Sequence, residues 1–231
     1  SKKKYFMFAG RSDNHKQTEF NKWATEIAFV KTDSINKKLK EDNSKIIYNV
    51  NSPKSIRRIT NIGCANKSGT SKGAVKRVDG ALSTDKSVLV IWCQFTNGGI
   101  QVSLYNMKAI RSFIAKSSSM KTFSLKSAKW KAACIASYYK SDNTTDSALK
   151  PNNSFQSIEV SNIVKPNKHY VYICSGNEAE KNQELQISRF TMIDKKTSIS
   201  NKRRIAVKPK TQPGYTTNIE ENNREIEGCH I

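Results

Sequence analysis

The chain has 231 residues, 36% hydrophobic and 9% aromatic, which is enough for a core and excludes a collagen-like or wholly disordered protein. Forty Lys and Arg against nineteen Asp and Glu give a formal net charge of +21 and a sequence pI of about 9.8. A surplus of that size repels itself unless polyanions relieve it, so composition points to a class of partner and to no reaction.

The longest apolar run, around Val88–Cys93, is far short of the ~20 residues of a membrane span, and no span is expected. Ser1–Gly10 opens with three lysines, but its apolar stretch is shorter than the roughly 7–15 residues of a secretory signal. The expectation is a mature chain or one never secreted.

Tyr5–Phe8 reads as a short strand. Phe20, Trp23, Ile27 and Val30 recur at three- and four-residue spacing and predict a helix over Phe20–Val30, with a second short helix over Ser34–Leu39. Lys45–Val50 is a strand candidate ended by Asn51, Ser52 and Pro53. Gly63–Gly80 places Lys67, Lys72, Lys76 and Arg77 among glycines and small polar residues, which reads as an exposed loop, mobile unless an anion orders it.

Val88–Cys93 is continuously apolar, as in a strand covered on both faces, and Asn97-Gly98-Gly99 suits a tight turn. Ile100, Val102 and Leu104 then alternate with Gln101, Ser103 and Tyr105, the pattern of a half-buried strand. Met107, Ile110, Phe113 and Ile114 share one helical face. Ser124 is the expected cap of a second helix reaching about Tyr139, with Leu125, Ala128, Ala132, Ile135 and Tyr139 as its core stripe. Lys126, Lys129 and Lys131 point mostly away from that stripe, and Trp130 sits on its flank.

Ser141–Asn153 reads as a loop and as the candidate boundary between two halves. Beyond it, Phe155–Val164, His169–Cys174, Leu185–Ile193 and Arg204–Val207 are strand-like, with Gly176–Gln183 as a hairpin loop. The predicted class is α+β: a central β-hairpin (about 87–105), a helical pair (about 106–140) and a C-terminal, mainly antiparallel β region. One domain over 1–231 is expected, dividing at about 141–153 if it is bilobed, with an acidic C-terminal tail over 213–231.

Cys64, Cys93, Cys134, Cys174 and Cys229 are widely and irregularly spaced with no CxxC pair, so a structural zinc is not expected. Cys93, Cys134 and Cys174 lie in apolar patterns and read as small core residues, pointing to a reducing compartment. The sequons at Asn66, Asn143 and Asn152 are no more than chance supplies in a chain so rich in Asn, Ser and Thr.

Catalytic side chains are scarce. The histidines are His15, His169 and His230, and no pattern suggests a histidine-dependent triad. Gly63–Gly73 has glycines, lysines and hydroxyls without the GxxxxGK[ST] spacing of a nucleotide loop. Asp194 and Lys196, with Glu178, Glu180 and Glu184 upstream, form the acid-x-lysine pattern of some metal-dependent nucleases, a short pattern in a lysine-rich chain. No helix-turn-helix, zinc-finger, RNP or KH pattern is present.

Net charge is +11 over residues 1–80, +7 over 81–150 and +3 over the rest, where a basic stretch to Lys210 precedes Glu220, Glu221, Glu225 and Glu227. The candidate nucleic-acid-binding residues are Arg57, Arg58, Lys72, Lys76, Arg77, Lys126, Lys129, Lys131, Lys202, Arg203, Arg204, Lys208 and Lys210, separated clusters that a fold could assemble into one groove. Lysine dominates, which suits contact with phosphates rather than base reading. Trp130, Tyr138, Tyr139, Tyr170 and Tyr172 lie beside these charges, as stacking rings or as core.

The expected function is therefore sequence-independent nucleic-acid binding by a protein rather than an enzyme. In its concrete form this is a viral nucleocapsid or coat-type protein, oligomeric, packaging single-stranded RNA, inside the cell or the virion. No cofactor or metal is expected. The rival classes are a metal-dependent nuclease using Asp194 and Lys196, and a secreted basic protein binding anionic glycans or membranes.

Overall fold

A computed structural model of the chain describes residues 5–10, 26–31, 35–42, 45–50, 56–116, 122–141, 155–163, 166–175 and 186–206. In chain order these form β1 (Tyr5–Gly10), β2 (Glu26–Lys31), β3 (Ile35–Asp42), β4 (Lys45–Val50), β5 (Ile56–Thr60), a 3-10 turn (Ile62–Cys64), β6 (Val75–Leu82) and β7 (Val88–Phe95). Then come β8 (Ile100–Asn106), α1 (Met107–Lys116), β9 (Thr122–Ser124), α2 (Ala128–Ala133), β10 (Cys134–Lys140), β11 (Phe155–Val160), β12 (Lys168–Ser175), β13 (Gln186–Ile193) and β14 (Ile199–Ala206). The class is α+β, mostly strand with two helices.

Three four-stranded sheets carry the architecture. Their strand orders are β1-β2-β5-β9, β10-β8-β7-β6 and β11-β12-β13-β14, and β3 pairs with β4 separately. Every pairing is antiparallel except that of β5 with β9. The second of these, here called the middle sheet, is covered on both faces. Leu89, Ile91, Cys93 and Phe95 of β7 enter a first core with Ile27, Ile59, Phe123, Trp130 and the apolar face of α1. Val88, Val90 and Trp92 enter a second core with Ile158, Val171, Ile173 and Phe190 of the C-terminal sheet. That two-sided burial is why Val88–Cys93 is unbroken by polar residues. β7 and β8 pair from Val88↔Asn106 to Gln94↔Ile100, and Gly98, at φ 85, supplies the left-handed residue of the connection.

Several expected helices are strands. Residues 26–31 form β2, where Ile27 and Phe29 are buried at period two and Ile27 pairs with Ile59. Phe20 and Trp23 lie outside the described residues. Ile35–Asp42 is a strand paired with β4, not a short helix. The second helix ends at Ala133, because Cys134 is already extended (φ −71, ψ 108) and residues 134–140 join β8. Ile135, Tyr138 and Tyr139 are β-branched or aromatic, and ladder pairing beats the helical period there. The cap of α2 is Ser127, whose hydroxyl accepts from the Trp130 N–H at 3.4 Å, while Ser124 belongs to β9.

Val75–Leu82, of which residues 75–80 fall in the predicted loop Gly63–Gly80, is the edge strand of the middle sheet: it satisfies the outer backbone of β7 with little apolar sequence of its own, burying Val78 and Ala81. β14 begins at Ile199, five residues before the predicted start. Among the described residues no helix is long and apolar enough to cross a membrane. Residues 142–153, the expected boundary, and the segment after 206 lie outside the described residues.

Candidate polyanion-binding site

The loop from Asn61 to Ala74 is held by a polar network that is buried at Asn66, Gln101 and Ser103. Asn66, 6% exposed, donates from Nδ2 to the Thr70 carbonyl at 2.8 Å and to Gln101 Oε1 at 3.0 Å. Its Oδ1 accepts from the Ser68 hydroxyl at 2.7 Å and from the Thr70 N–H. Gln101 Nε2 donates to the Ala65 carbonyl at 2.6 Å, and the Ser103 hydroxyl donates to the same oxygen. The expectation of a loop ordered only by ligand is thus overturned. Both lone pairs and both donors of Asn66 are used, as a buried amide requires.

Lys67 and Lys72 are on this loop, and Lys126 and Lys131 stand beside it. Gly69 has a left-handed φ of 68, and a Cβ there would lie 2.7 Å from Cδ of Lys131 and 3.6 Å from Cα of Lys126, so the loop packs on the start of α2 and the Lys131 stem. Lys72 Nζ sits 5.4 Å from the centre of the Tyr139 ring. Lys67 is near enough to Cys134, at the end of α2, for its charge to favour the thiolate, but burial dominates and pushes that thiol up to about 12. Among the described residues no carboxylate pairs with Lys67, Lys72, Lys126 or Lys131. The surrounding sequence explains this: residues 43–141 contain seventeen Lys and Arg and two acids, Asp79 and Asp85.

The other candidates lie elsewhere. Arg58 of β5 pairs with Glu26 at 3.5 Å, and Arg57 is its half-buried neighbour. Lys76 is exposed at the start of β6. Arg77 is committed to the junction of two sheets: its Nη1 donates to the Phe155 carbonyl at 2.7 Å and its guanidinium lies 4.7 Å from the Phe155 ring centre. Lys129 Nζ is 5.7 Å from the centre of the Phe113 ring. Lys202 and Arg203 are exposed on β14, which belongs to the sheet on the opposite face of the middle sheet from the Asn61–Ala74 loop. Arg204 is in β14 with its side chain undescribed, and Lys208 and Lys210 lie outside the described residues. The fold brings Lys72, Lys126 and Lys131 together with Lys67, which was not among the candidates, and leaves Lys202 and Arg203 on another sheet.

The aromatic rings divide as well. Trp130 is 1% exposed and meets Tyr105 edge-on at 5.5 Å, so it is core. Tyr139 is half-buried, edge-on to Phe95, with Lys72 over its face. Tyr170 and Tyr172 are half-buried on the face of β12 opposite Val171 and Ile173.

His169 is fully buried, with Nε2 2.9 Å from Oδ1 of Asp194 and Nδ1 lacking a hydrogen-bond partner. Asp194, one half of the nuclease pattern, is therefore engaged by a histidine. The described residues hold no group of three or more His, Cys, Asp or Glu placed to share a metal ion, and Glu178, Glu180 and Glu184 lie outside them, as do His15 and His230. Cys64, Cys93 and Cys134 are free and buried. Cys174 is buried but disulfide-bonded, unlike the reduced core residue expected of it.

No protein-family model matches the chain, and comparison with curated proteins and with solved structures finds no match.

Proposed function

We propose that the protein binds nucleic acid through its phosphates, without reading sequence, at Lys67 and Lys72 of the Asn61–Ala74 loop, at Lys126 just before α2 and at Lys131 within it. The observation that carries this reading is that Lys67 and Lys72, on a loop already ordered by Asn66 and Gln101, and Lys126 and Lys131 beside it have no carboxylate partner among the described residues. A pre-ordered loop loses little conformational entropy on binding, and lysines without carboxylate partners have no ion pair to break. In its concrete form the protein coats single-stranded RNA in many copies, as a nucleocapsid does.

The test is fluorescence anisotropy of a labelled single-stranded RNA and a matched DNA duplex at two salt concentrations, with gel filtration of the mixture. Binding that weakens steeply with salt and depends on length rather than sequence supports the reading. No binding to either at moderate salt overturns it, and a strict monomer with and without RNA overturns the coat form.

One observation favours a second reading, a secreted basic protein that holds anionic glycans: the disulfide at Cys174 suits an oxidising compartment. Heparin binding that persists at a salt concentration that releases RNA, from a protein purified with Cys174 oxidised, supports this reading over the first.

A further inference from the structure

The far face of the C-terminal sheet carries rings and cations side by side. Val171 and Ile173 of β12 and Phe190 and Met192 of β13 point into the second core, so Tyr170, Tyr172 and Arg189 lie on the other side. Across the strands, Tyr172 stands opposite Arg189, and Arg189 stands opposite Arg203 of β14. Tyr170, Tyr172 and Arg189 are half-buried and Arg203 is exposed, whereas Cys174, the next residue of β12 on this face, is fully buried. The accessible part of the face is therefore the row Tyr172, Arg189 and Arg203, with Tyr170 beside it.

Two features of that row point to a ligand. Arg189 and Arg203 are like charges directly opposite in an antiparallel pair, an arrangement that destabilises a sheet. Neither has a carboxylate partner among the described residues, and Glu159, the one acid of this face among them, already has a partner of its own. An anion held between the two guanidiniums removes the repulsion, and a phosphate suits their planar forks. The rings supply the second feature. The Arg189 guanidinium lies 4.9 Å from the centre of the Tyr170 ring and so occupies it. Among the described residues no ring or cation is stacked on Tyr172, which stands one strand spacing, ~4.8 Å, from Arg189.

We infer, resting on the nucleic-acid reading above, that this row is a second site, at which a base of a single strand stacks on Tyr172 and a neighbouring phosphate lies between Arg189 and Arg203. Such a site adds what the lysines cannot supply, a preference for an unpaired strand. Contact between lysine and phosphate serves duplex and single strand alike, whereas a ring reaches the face of a base only where that base is unstacked. β13 and β14 lie across the middle sheet from the Asn61–Ala74 loop, so substitution separates the two sites.

The test is photo-cross-linking of the full chain to a short single-stranded RNA carrying iodouridine, with the attached residue read by mass spectrometry. Anisotropy of the same RNA and of a matched duplex accompanies it. A cross-link at Tyr172 is expected, and because it is read on the wild-type chain it does not depend on any variant folding. Tyr172→Leu should weaken binding of the single strand about tenfold and leave the duplex unchanged, while Tyr172→Phe keeps wild-type affinity for both. Arg203→Gln should lower the salt slope for the single strand by about 0.7. Cross-links that avoid Tyr172, or equal affinities of the leucine and phenylalanine variants for the single strand, would overturn the second site and leave the lysine-loop reading standing. No binding of either nucleic acid would overturn both. Loss of heparin binding in place of RNA binding in Tyr172→Leu would also overturn it and assign the row to a glycan.

Discussion

Phe155 of β11 stacks flat on Trp92 of β7, with ring centroids 3.8 Å apart and planes within 11° of parallel. The contact joins the middle sheet to the C-terminal sheet, and Arg77 reinforces it from β6 through the Phe155 carbonyl and ring. Phe155 is 7% exposed, so truncation removes a buried ring and leaves a cavity at a seam between sheets. Phe155→Ala should cost about 3–5 kcal/mol, read as a fall in the urea midpoint, with Phe155→Leu costing clearly less. A loss below about 1 kcal/mol in the alanine variant would mean that the seam does not depend on this stack.

Beside that seam, burial raises the Asp79 carboxyl to about 6, and the Gly80 N–H, the Arg77 charge and the Ile158 N–H only partly oppose it. The sign follows from proton binding. Between the ordinary value of 3.8 and about 6 the folded protein holds this proton more tightly than the unfolded chain. The contribution of Asp79 to stability is therefore greatest at low pH and falls as pH rises through that window, by on the order of 2–3 kcal/mol at most. Asp79→Asn keeps an acceptor for the Gly80 N–H and removes the titration. The difference in urea midpoint between variant and wild type, measured from pH 4 to pH 7, should shift in favour of the variant as pH rises; a flat difference refutes the assignment.

Replacing Lys67, Lys72, Lys126 and Lys131 together with Gln should weaken RNA binding with little change in thermal stability, because no described carboxylate pairs with them. For a single strand each lost phosphate contact lowers the slope of log K against log salt by about 0.7, so the slope should fall by roughly 3. The same measurement on Arg58→Gln should leave the slope nearly unchanged, since Arg58 is already paired with Glu26. Equal effects from both variants would mean that charge total, not this site, governs binding.

Asn66→Ala removes no charge and should still weaken binding. It leaves the buried Gln101 Oε1 without its donor, which costs about 1–3 kcal/mol, and it releases the Thr70 carbonyl and the Ser68 hydroxyl, which belong to exposed residues and can turn to water. Hydrogen exchange over residues 61–74 should accelerate along with the loss of RNA affinity. Affinity retained on a loop that exchanges freely would show that its order is irrelevant to the site.

Legibility in the sequence differed from element to element for physical reasons. The run Val88–Cys93 announced a strand covered on both sides, because continuous apolarity leaves no face for water. The alternation after it misled at one point. Gln101 and Ser103 read as the solvent face of β8, whereas both are fully buried under the Ala65 carbonyl. Polar residues on a strand signal water or a partner equally, and the partner here lies about 36 residues upstream, beyond any local window. The same blindness hid Asn66, which resembles any loop asparagine until Gln101 is beside it.

Composition, acting through sheer excess of Lys and Arg over Asp and Glu, determined that this protein carries a surplus of positive charge, and the local apolar pattern determined the strands of its middle. Net charge is a sum over side chains and needs no fold, and a short apolar run constrains its own burial. Tertiary structure alone decided which cations lie near one another: it packed the loop of Lys67 and Lys72 against Lys126 and Lys131, spent Arg77 on Phe155 and Arg58 on Glu26, and put Lys202 and Arg203 on another sheet. It also turned β2, β3 and β10 from expected helices into strands. Those outcomes rest on pairing and packing between segments distant in the chain, where long-range contact overrides the local period.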